Sequence, residues 1–136
     1  MAKLNEIIQW CNQTLKSHEF KDYAPNGLQI EGKPDVNKIL CAVTASQDAI
    51  EAAIEQGADL LLVHHGYFWK GEPYPITGMR GKRIKSLIQH DISLVGYHLP
   101  LDSHPTLGNN AAIADILALE NIEALDPGER NPIGNI

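Results

Sequence analysis

Two adjacent imidazoles, His64 and His65, close the apolar run "DLLLVHH", and His98 closes a second run, "ISLVGYH". Asp102 follows shortly after, in the segment "LPLDSHPTLG". Imidazole nitrogen and carboxylate oxygen together are the ligand set of Zn, Mn, Fe or Co sites. A carboxylate can bridge two ions, and two metals about 3.5–4 Å apart can hold and activate a hydrolytic water. Neighbouring side chains on a strand point to opposite faces, so in extended geometry His64 and His65 do not easily grip one ion together. Either one of them is structural, or the pair serves two centres with Asp102 between them. A single strand-end histidine is often just a hydrogen-bonded residue; three of them with an aspartate point to metal.

The elements that must position these groups alternate along the chain. "KLNEIIQWCNQTLKS" carries Leu4, Ile7, Ile8, Cys11 and Leu15 at the spacing of an amphipathic helix. "DYAPNGLQIEGKPD" is rich in turn formers around Asn26-Gly27, with "LQI" as a candidate short strand. "KILCAVTAS" reads as a buried strand; Thr44 or Ser46 is placed to cap the next helix, "QDAIEAAIEQ", which stops at Gly57. "DLLLVHH" is the second strand, "KRIKSLIQH" a helix, "ISLVGYH" the third strand. "LPLDSHPTLG" reads as a loop, and Asn109 or Asn110 is placed to cap "AAIADILAL". Apolar strands separated by helices of about ten residues predict an α/β fold, a mainly parallel sheet with helices on both faces and right-handed crossovers. In such sheets, sites form beyond the carboxyl ends of the strands. If the second and third strands are neighbours, His64, His65, His98 and Asp102 gather at one edge. Residues 1–120 read as one α/β lobe and 121–136 as a tail without clear period.

At 136 residues the chain suits one domain, and 43% hydrophobic with 21% charged residues is ordinary globular composition. A net charge of −6 argues against a general nucleic-acid binder. No apolar run approaches the roughly 18 residues of a membrane span, and "MAKLNEIIQW" lacks the apolar core of a signal peptide. Cys11 and Cys41, without a CxxC, read as reduced core thiols, in keeping with a cytoplasmic protein. His18 and His90 fall at helix ends and read as structural. His104 is a loop residue with the option of facing a substrate. Tyr67, Phe68 and Trp69 suit packing, a subunit interface or stacking on a substrate ring. Arg80, Lys82, Arg83 and Lys85 suit a solvated helix face; facing the metal edge, Arg80 could contact phosphate. The chain has no GxSxG, GxGxxG or P-loop.

"DYAPNGLQIEG", "VTAS", "GADLLLVHHGYFWKGE" and "YHLPLDSHPTLGNNAAIA" resemble, in order and in register over about residues 20 to 119, the N-terminal half of the NIF-three-like proteins. These dinuclear-metal-centre proteins are often labelled GTP cyclohydrolase one type two. The resemblance implies an α/β fold, metal ligands at His64, His65 and Asp102, and two divalent ions (Zn, Mn, Fe or Co) in a complete site. His98 then falls in the surrounding shell or as a weak ligand. It also implies self-association into ring-shaped hexamers, or a dimer for a short chain. Family members complete the site with an HxxxE pair near the C-terminus, and no such pair follows Asp102 here.

The expectation is a dinuclear divalent-metal protein, a metal-dependent hydrolase of a nucleotide-like or phosphate-bearing small molecule. The alternative is a non-catalytic, metal-stabilised, ring-forming module with a regulatory or nucleic-acid-associated role.

Overall fold

A computed structural model describes residues 1–123 of the chain. A two-residue strand, β1 (Ala2–Lys3), runs directly into α1 (Leu4–Leu15), whose apolar stripe is the one expected from the sequence. After the turn-rich segment come β2 (Gly27–Ile30) and β3 (Asp35–Val36). The βαβ part then runs through β4 (Ile39–Thr44), α2 (Gln47–Glu55), β5 (Leu60–His65), α3 (Gly78–Gln89) and β6 (Ser93–Gly96). A single-turn helix, α4 (Leu99–Asp102), and α5 (Asn109–Ile116) follow. The expected tail lies largely outside the described residues.

The main sheet has the order β2-β6-β5-β4. β4 pairs with β5 and β5 with β6 in parallel, while β2 adds to β6 antiparallel. The sheet is therefore mixed, mainly parallel, and β2 is an antiparallel edge that the short "LQI" run does not disclose by itself. β1 and β3 form a separate two-stranded ribbon.

Helices cover both faces, as the apolar strands require. On one face, Ile50 and Ala53 of α2 and Ile84 and Leu87 of α3 pack on Leu61, Val63 and Leu94. On the other, Leu4 and Cys11 of α1 pack on Leu60, Val95 and Tyr97. Each fully buried Leu or Ile contributes about 1.5–3 kcal/mol of transfer free energy. Ser46, not Thr44, caps α2 by accepting from the Ala49 N–H, and the helix ends just before Gly57, whose φ is +62°. Gly108 occupies the cap position of α5, with Asn109 already helical.

β4 departs from the expectation of a buried strand. It is the sheet edge, and α1 leaves its outward side chains uncovered: Cys41 is exposed and Val43 is 70% exposed, beside Trp10 at 63%. Cys11 is a core thiol as expected, on the sheet-facing side of α1, whereas Cys41 is not, because no helix covers its side of the edge strand. Among the described residues, no helix is long and apolar enough to cross a membrane.

Candidate metal centre

β6 ends at Gly96, three residues after it starts, while β5 continues to His65. The last pairings are Val63 with Gly96 and Thr44 with His65, so His64 has no strand residue beside it on the β6 side. Its ring folds over the short end of β6, where Nδ1 lies 2.9 Å from the Tyr97 carbonyl. His65 leans toward β4 instead, with Nδ1 3.3 Å from Thr44 Oγ1. The two rings nevertheless converge, with centroids 4.3 Å apart. The opposite-face rule that separates strand neighbours fails here because both residues sit where the sheet runs out, free to bend over its end.

His98 joins them from the segment between β6 and α4. Its ring centroid lies 5.1 Å from that of His64 and 5.7 Å from that of His65. His64, His65 and His98 each offer a ring nitrogen, and these atoms all lie within 4.8 Å of one another. Asp102, on α4, approaches from one side with Oδ1 3.5 Å from His64 Nε2. Asn109 Nδ2 donates to that same oxygen at 2.8 Å, so α5 braces the carboxylate. The four residues expected at one sheet edge thus do meet there.

The hydrogen bonds set the tautomers. A backbone carbonyl only accepts, so His64 Nδ1 carries a proton, and it is the neutral tautomer of that form that has its lone pair on Nε2. The same holds for His98, whose Nδ1 lies 3.0 Å from the Asp22 carboxylate. This is the outer-sphere support that metal-bound histidines normally show. Burial lowers the pKa of His65, the neighbouring His64 and His98 lower it further, and Asp102 opposes them only in part. His65 is therefore neutral at neutral pH and able to donate a lone pair. Two ligands about 2.1 Å from one ion at a tetrahedral angle stand about 3.4 Å apart, close to the observed His64–Asp102 separation of 3.5 Å. Chemistry and spacing both fit a late first-row divalent ion. Four donors do not saturate two ions.

Asp22 does not stand out in the sequence. Its side chain is 3% exposed. It accepts from His98 Nδ1, Asn26 Nδ2 and the backbone N–H groups of Tyr23, Ala24 and Leu99. Burial alone would raise its pKa, but the hydrogen bonds outweigh burial and hold the carboxyl below its ordinary value. The only local signal is the turn chemistry of "DYAPNG", where Asp22 N-terminal to Asn26 reads as a loop staple.

Two aromatic rings wall the cluster. Trp69 stands edge-on to His98 at 4.8 Å and 6.0 Å from His65, its Nε1 donating to the Gly66 carbonyl. Tyr23 lies 5.5 Å from His98 and 6.2 Å from Trp69. Tyr67 is instead buried, its hydroxyl donating to the Ala45 carbonyl. Of the three consecutive aromatics, Phe68 alone is exposed.

The remaining candidates separate. Arg80 spends its guanidinium on Glu72 and on the Pro73 and Pro75 carbonyls, stapling the loop before α3 rather than reaching toward a phosphate. His104 accepts at Nδ1 from the Leu107 and Thr106 N–H groups and, with Asp102, lines a cavity of about 380 Å³. His90 bonds Ser86 within its own helix and His18 stands near Glu19 on the surface, both structural as expected.

A mixed sheet with helices on both faces and a histidine cluster at its carboxyl edge defines an α/β domain with the makings of a metal centre. The family model Duf34/NIF3 (NGG1p interacting factor 3) matches residues 2–135, and the chain belongs to that family. It is 54% identical over 131 residues to the "GTP cyclohydrolase 1 type 2 homolog" of Neisseria meningitidis serogroup B, covering 96% of this chain and 52% of the relative. Against the protein of the same name from Haemophilus influenzae the identity is 58% over 123 residues, 90% of this chain and 49% of the relative. A crystal structure from Thermus thermophilus superposes with a TM-score of 0.86 at 39% identity, covering 92% of this chain and 52% of that one. The chain spans about half the length of the curated relatives it matches.

Proposed function

We propose that this chain is the divalent-metal-binding lobe of a metal-dependent hydrolase, with His64, His65 and Asp102 as metal ligands and a nucleotide-like or phosphate-bearing small molecule as substrate. The observation that carries the reading is the convergence of three imidazoles, one ring nitrogen of each within 4.8 Å of the others, with the rings of His64 and His98 held through Nδ1. A bound divalent ion supplies Lewis acidity, polarising a phosphoryl or carbonyl oxygen. The residues of the chain do the rest. Tyr97 and Asp22 hold the rings of His64 and His98 in one orientation, and Asn109 holds Asp102. Trp69 shields the cluster on one side, and half-exposed Tyr23 offers a ring face on which a planar base can stack. His104 lines the cavity beside Asp102, placed to donate from Nε2 to a substrate oxygen.

Two ions want about six ligand contacts, and the lobe offers four donors. We therefore expect this chain alone to hold fewer than two ions and to turn over little. A chain of the relatives' full length should load both and hydrolyse. Calorimetric titration of both forms with zinc and manganese, paired with an assay of nucleotide hydrolysis, tests this. Failure of the long form to take up metal overturns the reading. Metal uptake by the long form without any hydrolysis overturns the enzyme and favours a metal-stabilised assembly or regulatory module.

A further inference from the structure

We propose that the concavity between α1 and the segment that follows it is a binding site for a neutral sugar, read by a row of carboxamides on α1. The cavity encloses about 570 Å³, within the range of small-molecule sites. Its lining includes none of His64, His65, His98, Asp102 or Trp69, so the proposal does not rest on the metal-binding reading.

Asn5, Gln9, Asn12 and Gln13 line the cavity from one side. Their spacing places them on a single face of α1, opposite the stripe that packs on the sheet. At 1.5 Å per residue the row rises about 12 Å from first to last. No charged residue stands between Glu6 and Lys16, so this outward face is polar without being ionic. Among the described residues, the side chains of Asn5, Gln9 and Gln13 have no hydrogen-bond partner. Asn12 is held differently. Its Oδ1 accepts from the Tyr97 hydroxyl at 2.8 Å and the Ser17 hydroxyl at 3.0 Å, which fixes the carboxamide and leaves the two N–H donors of Nδ2 for a ligand.

The rest of the lining narrows the ligand class. No Lys or Arg lines the cavity, and Asp22 in its wall adds negative charge while its oxygens are taken up by five donors. A phosphate or carboxylate therefore finds no cationic partner there. A planar base is satisfied by one bidentate carboxamide and would leave most of a 12 Å row unused. A sugar uses the whole row. Each hydroxyl both donates and accepts, as each carboxamide does, and linked rings carry hydroxyls along their length. The C–H face of such a ring suits the apolar wall of Ile8 and Phe20.

The test is a titration of the whole chain with maltose and with sucrose, followed in nitrogen-15 spectra with the side-chain amides assigned. Glucose 6-phosphate is the charged comparison. At least one of the neutral disaccharides should move the amide resonances of Gln9, Asn12 and Gln13 saturably and leave that of Gln89, on the exposed end of α3, in place. Glucose 6-phosphate should bind about tenfold more weakly or not at all. The double substitution Gln9→Ala, Gln13→Ala removes two exposed side chains that bond nothing else in the described chain, so the fold should survive it. It should weaken sugar binding about tenfold or more, whereas Gln89→Ala should leave it unchanged. Failure of both disaccharides to bind overturns the proposal. Binding that the double variant does not weaken places the sugar elsewhere and overturns it too. Equal or tighter binding of glucose 6-phosphate overturns the neutral ligand class.

Discussion

His64 Nδ1 stands 2.9 Å from the carbonyl oxygen of Tyr97, a residue on the neighbouring chain segment that continues where β6 has already ended. That one bond fixes which nitrogen of His64 is protonated and turns the other toward His65, His98 and Asp102. His90 shows the contrast: its Nδ1 bonds the Ser86 carbonyl of its own helix, and its ring stays exposed.

His64→Ala should therefore strip metal from the protein far more than His90→Ala, while neither unfolds it. Losing His64 removes a donor from the centre of the cluster. Losing His90 removes a terminal-turn interaction worth about 0.3–1 kcal/mol. Metal analysis after purification without chelator, with circular dichroism as the folding check, measures the difference. Equal metal retention refutes the role given to His64.

Gly66→Ala should disturb the turn that carries the histidines through Gln29. A Cβ at position 66 would overlap the Gln29 carboxamide, whose Cδ is 2.7 Å away. That carboxamide accepts from the Tyr67 N–H at 2.8 Å and donates to the Pro25 carbonyl at 2.9 Å. Swinging it aside forfeits both bonds, a loss of about 1–3 kcal/mol at about 0.5–1.5 each. In a Gln29→Ala background the same substitution should cost much less. Urea unfolding of wild type and the three variants closes the cycle, and a cost independent of Gln29 would sink the explanation.

The fold was legible because it is written locally. Apolar runs ending in histidine marked β5 and β6, and the stripe from Leu4 to Leu15 marked α1. The gathering of His64, His65, His98 and Asp102 at one edge was conditional on β5 and β6 being neighbours, which they are. What could not be read depends on distant partners. Asp22 meets His98 across 76 residues, and nothing within "DYAPNG" encodes that partner. The convergence of His64 with His65 hinges on β6 stopping at Gly96, a boundary that the continuous run "ISLVGYH" conceals. β4 has the composition of a core strand; its place at the sheet edge is a property of the topology, not of the strand.

The two thiols should react at very different rates. Cys41 faces outward from the edge strand, whereas Cys11 sits on the face of α1 packed on the sheet, where burial pushes its thiol pKa up. Nucleophilic attack requires an accessible thiolate, so Cys11 is disfavoured on both counts. An aromatic disulfide reagent should titrate one thiol promptly in the native protein and the second only in denaturant. Cys41→Ser should abolish the fast phase. Two fast thiols in the native wild type would place Cys11 at the surface and contradict the packing of α1.

Asp59 should make the protein acid-sensitive as the pH falls through 3.8. The residue is 8% exposed, between the end of α2 and the start of β5. It accepts from the Asn37 N–H at 2.9 Å, the Lys38 N–H at 3.3 Å and Lys33 Nζ at 3.4 Å. The Asn37 N–H is the main cause holding its pKa below 3.8; burial works against this, and Lys38 and Lys33 assist. The folded state thus binds this proton less readily than the unfolded state. The stabilisation is present in full above 3.8, declines as pH falls through that value, and is gone below the folded-state pKa. Asp59→Asn keeps the shape and removes the charge, so it should cost about 1–3 kcal/mol near neutrality, the usual range for a buried hydrogen bond to a charged group. The gap between wild type and variant should then narrow as the pH is lowered past 3.8. Urea unfolding of both proteins at about pH 7, 5, 4 and 3 reads this directly. A gap that stays constant down to the lowest pH would mean that Asp59 is not ionised against these partners.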